Sequence, residues 1–140
     1  MEINDIAKLF IAAVDKVDFY WNFYTLTLLA MIGWLVSTDK PLTRPLKQLI
    51  SFGYLLFVAM NIRGLLGAYT LAEAIRQDLL AAASADPGLM RHTQAVLAQH
   101  PYDGAPLMVG TIHALLGAVV LAVIWRGRRD QAPQRTPLDP

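Results

Sequence analysis

Cysteine is absent from the 140 residues. That excludes disulfides, thiolate catalysis, iron–sulfur clusters and cysteine-ligated zinc. Charge is scarce as well. Asp, Glu, Lys and Arg make up 16% of the chain, against about a quarter in soluble domains. The net charge is only +1, with no basic face of the kind that nucleic-acid recognition needs, so no nucleic-acid partner is expected. No HExxH, GxSxG or glycine-rich phosphate loop occurs, and Ser37, Ser51 and Ser84 do not assemble with a histidine and an acid into a triad pattern. His92 and His100 stand about two turns apart on a predicted helix, too far to share a metal. His113 is alone in an apolar stretch, whereas a membrane haem of the b type needs two facing axial ligands. Neither an enzyme nor a bound cofactor or metal is expected.

What is present is apolar sequence. Hydrophobic residues make up 55% and the mean hydropathy is +0.39. No charge falls between Asp18 and Asp39, or between Asp103 and Arg126. Each interval supplies the roughly 20 residues needed to cross about 30 Å of hydrocarbon. Between Lys47 and Glu73 a single charge interrupts, Arg63. The fold class is therefore all-α, an integral membrane protein with three transmembrane helices over 19–37, 47–70 and 106–126. Tyr20, Trp21, Tyr24, Trp34, Tyr102 and Trp125 lie near the ends of these segments. They suit an interfacial aromatic belt, with packing between helices as the alternative.

Orientation follows from lysine and arginine placement. Lys40, Arg44 and Lys47 lie in the first connection, and Arg126, Arg128, Arg129 and Arg135 follow the third span. This side is read as cytoplasmic. The N-terminus and residues 71–105 are read as extracytoplasmic, in a plasma (inner) membrane. Arg126, Arg128 and Arg129 are placed to meet lipid headgroups. No signal peptide is expected, because the early apolar run LFIAAV is short and lacks a basic start.

Outside the spans, residues 1–18 carry Ile3, Ile6, Phe10, Ala13, Val14 and Val17 at three-to-four spacing. This predicts an N-terminal amphipathic helix that lies on the outer leaflet or caps the bundle. Residues 71–105 predict an extracytoplasmic helical hairpin. LAEAIRQDLLAAASA continues the second helix, Asp86-Pro87-Gly88 makes a turn, and GLMRHTQAVLAQH forms a second helix. The proline-rich tail 127–140 is expected to be disordered on the cytoplasmic side.

Two features bear on function. Gly110, Ala114, Ala118 and Ala122 form a seam of small residues on the third span, and Gly64 and Ala68 repeat it briefly on the second. Such seams let helices approach closely in lipid. The polar residues at comparable depth include Asn22, Asn61, Arg63 and His113. Asn61 and Arg63 lie about 200° apart around a helix and do not share a face. Arg63 either reaches outer headgroups or a phosphate, or faces the interior to meet a partner or an anionic ligand. The leading expectation is a small polytopic protein acting by helix–helix interaction in the lipid bilayer, as a homo-oligomer or as an accessory subunit of a membrane complex. The alternative is a small oligomeric channel, a transporter or an anionic-ligand sensor. There Arg63, His113, Asn22 and Asn61 would line a polar site.

Overall fold

The computed structural model describes residues 3–38, 42–84, 91–99 and 101–126. They form four helices: α1 over Ile3–Ser37, α2 over Arg44–Ser84, α3 over Arg91–Gln99 and α4 over Ala105–Arg126. Three of these, α1, α2 and α4, are long and apolar enough to cross a membrane. The Asp86-Pro87-Gly88 turn, Lys40, His100 and the expected disordered tail 127–140 with Arg128 and Arg129 lie outside the described residues.

The amphipathic segment read over 1–18 is not a helix of its own. From Ile3 onward it is the first half of α1. The buried residues show why. Ile6, Ala13, Val17, Tyr24 and Leu28 step by seven and four along one stripe, with no change of phase at the expected membrane boundary. Neither glycine nor proline occurs before Gly33 to break it. The segment therefore continues the packing stripe of the span. The stripe on α2 is longer and passes through Tyr54, Asn61, Leu65, Ala68, Ala72, Arg76, Leu79 and Ala83. Steps alternating near three and four mark a coiled-coil-like seam.

α1 and α2 are antiparallel. The Tyr20 carbonyl meets Asn61, and further along α1 the Tyr24 ring stacks on Phe57. α2 and α4 are antiparallel too, with His113 against Asn61 and Trp125 against Ser51. α2 thus packs on both other long helices, and α3 packs on α2. One core cluster joins Val17, Leu65, Ala68, Tyr69, Ala105 and Val109. A second joins Tyr24, Leu28, Tyr54, Val120 and Ile124. Large apolar side chains such as Leu26, Leu29, Phe52 and Leu115 are exposed on the outside of the bundle, where hydrocarbon suits them as well as a core would.

Candidate functional site

At the junction of the two core clusters the three long helices enclose a polar node. His113 from α4 is 1% exposed and Asn61 from α2 is 4% exposed. The two residues come level because their antiparallel helices cross the same layer. His113 Nε2 is 3.0 Å from Asn61 Oδ1, and Asn61 Nδ2 donates to the Tyr20 carbonyl at 3.2 Å. His113 Nδ1 lies 2.8 Å from the Val109 carbonyl one turn back. A backbone carbonyl only accepts, so the amide nitrogen of Asn61 must face Tyr20. Its oxygen is then left facing Nε2 as a hydrogen-bond acceptor. Both ring nitrogens thus face acceptors, and a neutral imidazole, with one N–H, donates to only one of them at a time.

Aromatic rings close the node. The Tyr24 ring stacks on His113 at 4.0 Å between centroids, and Trp21 is tilted against it at 5.4 Å. The Tyr24 and Tyr54 hydroxyls are 3.4 Å apart, and Trp21 Nε1 donates to the Tyr69 hydroxyl at 3.0 Å. Tyr102 packs against Tyr69, and Trp125 Nε1 donates to Ser51. Tyr20, Trp21, Tyr24 and Tyr102 therefore pack between helices, while Trp34 is 48% and Trp125 44% exposed. No buried side-chain polar atom among the described residues lacks a partner. No known protein family, curated protein or solved structure matches the chain.

A second polar cluster sits where α2 leaves the apolar span. The Glu73 carboxylate accepts from Arg76 Nε at 2.8 Å and Nη2 at 2.6 Å. It also accepts from Gln77 Nε2 at 2.7 Å and from the Tyr102 backbone N–H at 3.2 Å. Arg76 Nη1 donates to the Leu97 carbonyl of α3 at 2.6 Å. One ion pair thus ties α2, α3 and the start of α4 together. Hydrogen bonding from Arg76 is the main reason the Glu73 carboxyl is held down at about 2, against the opposing effect of burial. Glu73 in turn raises the Arg76 guanidinium further.

Of the polar residues singled out from sequence, Asn61 and His113 are joined directly. Asn22 and Arg63 are exposed on the outside of the bundle, so Arg63 does not enter the interior of this chain. The small residues divide. Ala68 is buried, and a Cβ on Gly64 would lie 2.5 Å from the Tyr20 ring, so that glycine permits the close approach of α1 to α2. Gly110, Ala114 and Ala118 are exposed and Ala122 half-buried. The face of α4 that packs within the chain is the neighbouring one, through Val109, His113, Gly117, Val120 and Ile124. Arg126 is exposed in the last turn of α4, and nearby Lys47 Nζ donates to the Trp125 carbonyl. The clasp of Glu73 and Arg76 was missed in the sequence. Its only signal was an acid and a base three residues apart, which any exposed helix can show. Among the described residues no group of three His, Asp or Glu is placed to hold a metal ion.

Proposed function

We propose that this chain is a multi-pass protein of the plasma (inner) membrane that works by helix–helix association, as a homo-oligomer or as an accessory subunit of a larger membrane complex. The outward seam of α4 supports this reading best. At Gly110 an added Cβ would meet nothing within 4 Å, and Ala114 and Ala118 are exposed beside it. A helix face that meets only lipid gains nothing from small side chains. They help where another backbone comes close, because van der Waals packing drives association in hydrocarbon. A polar path through Asn22, Asn61, Arg63 and His113 has less support, since two of these face out and two face in.

The orientation proposed places residues 71–105 outside and the first connection and C-terminal tail in the cytoplasm. In its favour, Arg44, Lys47 and Arg126 come together at one end of the antiparallel bundle, where Lys47 bonds the end of α4. With Arg128 and Arg129 they would meet the headgroups of that leaflet.

Disulfide crosslinking in native membranes tests the association. Ala114→Cys and Ala118→Cys are each expected to give a crosslinked product, a doubled mass for a homo-oligomer or a heavier adduct for another subunit. Leu115→Cys, exposed on the adjoining lipid face, should give none. Equal crosslinking at all three positions would remove the seam as the interface.

A further inference from the structure

A groove of about 480 Å³ runs along the outside of the bundle between α1 and α2, lined by Lys16, Tyr20, Met60, Arg63, Gly64, Gly67, Ala68 and Leu71. Its polar groups are of one kind. Lys16 brings an ammonium, Arg63 a guanidinium and Tyr20 a hydroxyl, and no carboxylate lines it. Among the described residues the ion pair formed is Glu73–Arg76. Neither Lys16 nor Arg63 makes an ion pair or hydrogen bond there. The Tyr20 hydroxyl, which would lie 3.0 Å from a Cβ on Gly64, makes none through its oxygen. Two cations and a hydroxyl therefore line a recess that holds no carboxylate.

The depth of the groove makes this imbalance matter. Arg63 lies two residues from Asn61, in the layer of α2 that packs on His113 of α4, and so within the apolar span. A cation at that depth is costly unless an anion meets it. Lys16 lies further towards the far ends of α1 and α2, near the level of Leu65 and Ala68 in the antiparallel register. The floor of the groove is otherwise apolar. Gly67 leaves it open, since a Cβ there would meet nothing within 4 Å. An occupant that satisfies these walls has an anionic oxygen cluster at one end and hydrocarbon at the other.

We infer that this groove binds an anionic phospholipid, whose phosphate is held by Arg63, Lys16 and the Tyr20 hydroxyl while an acyl chain lies along Met60. Arg63 provides a planar pair of donors suited to phosphate oxygens, and Lys16 a point charge. Tyr20 links the groove to the interior, because its carbonyl carries the Asn61 amide that holds His113. Lipid occupancy thus bears on the same stretch of α1 that closes the polar node. The inference does not depend on the α4 seam, which lies on another helix.

Native mass spectrometry of the full chain in detergent, titrated with phosphatidylglycerol or phosphatidylcholine, provides the test. The wild type is expected to retain one phosphatidylglycerol per chain more tightly than any phosphatidylcholine. Arg63→Gln and Lys16→Gln should each weaken that lipid by about tenfold or more, the worth of one charged hydrogen-bonding contact. Arg63→Lys should keep part of the affinity, and Arg44→Gln, at the opposite end of the bundle, should keep all of it. Circular dichroism of each variant establishes that the helices remain. Equal retention of the two lipids, or wild-type retention by a folded Arg63→Gln variant, would overturn the inference. Displacement of the lipid by inorganic phosphate would also overturn it, by assigning the groove to a soluble phosphate.

Discussion

At the scale of single residues, the polar node sets a cost on changing either of its members alone. His113→Leu leaves the buried Asn61 oxygen without its partner, and Asn61→Leu leaves His113 Nε2 without its partner and removes the added bond to the Tyr20 carbonyl. Each single change is expected to destabilise the bundle by about 1–2 kcal/mol. The double variant should lose less than the two effects added, because two apolar groups no longer strand each other's polar atoms. Equilibrium unfolding in mixed micelles reads all four corners of this cycle, and strict additivity would show that the contact carries no energy. Both residues were legible as polar groups at similar depth. Their pairing was not, because it depends on the offset between α2 and α4 and on a backbone carbonyl that any residue at position 20 would supply. The rings of Trp21 and Tyr24 were read as belt residues for a related reason. Position near a helix end does not distinguish a ring facing lipid from one turned inward.

At the scale of the elements, α3 shows how little can hold a helix in place. It is short, it buries none of its own residues, and isolated helices of that length are marginal in water. One tie to α2 runs through Arg76 and the Leu97 carbonyl. Arg76→Gln is therefore expected to raise amide hydrogen exchange across Arg91–Gln99 by about tenfold or more, while the α1–α4 contacts around His113 stay protected. Unchanged exchange in α3 would mean that the clasp is not what holds it. The pH dependence has a definite sign. Glu73 is held at about 2, below its ordinary 4.5, so its contribution is complete above pH 4.5 and is lost as pH falls towards 2. The same exchange measurement should accordingly show α3 still protected at pH 4.5 and released only in stronger acid. The continuation of α2 past the span was legible, since LAEAIRQDLLAAASA is made of helix formers. The unbroken α1 was less so. Its charges at Asp15, Lys16 and Asp18 suggest a boundary, whereas the inward stripe at Ile6, Ala13 and Val17 runs straight through them.

At the scale of the whole molecule, the three long helices are unequal. At 1.5 Å per residue α4 is about 33 Å long, α1 about 52 Å and α2 about 61 Å. Only α4 matches a hydrocarbon core of about 30 Å, so in the proposed membrane-spanning placement α1 and α2 would continue together well past one surface, with α3 packed on α2. The proposed topology puts that extension outside the cell. His92→Cys, on an exposed position of α3, should then react with a membrane-impermeant thiol reagent on intact cells, and Arg44→Cys only after the membrane is opened. The reverse pattern would invert the molecule. That three helices are long and apolar enough to cross a membrane was legible, because membrane thickness sets the length of apolar sequence needed. The height of the extension was not, because nothing in its composition separates a helix that lies along lipid from one that stands clear of it. The inequality has a mechanical consequence. A paired, zippered extension resists bending better than a single helix or a loop, so in the proposed topology anything that engages α3 would be held clear of the lipid, since Leu97 is level with Arg76, about 10 Å along α2 from Tyr69 beside the start of α4. In that sense α1 and α2 act as a spacer, and the reach of the protein is determined by how many helical turns they keep beyond the lipid.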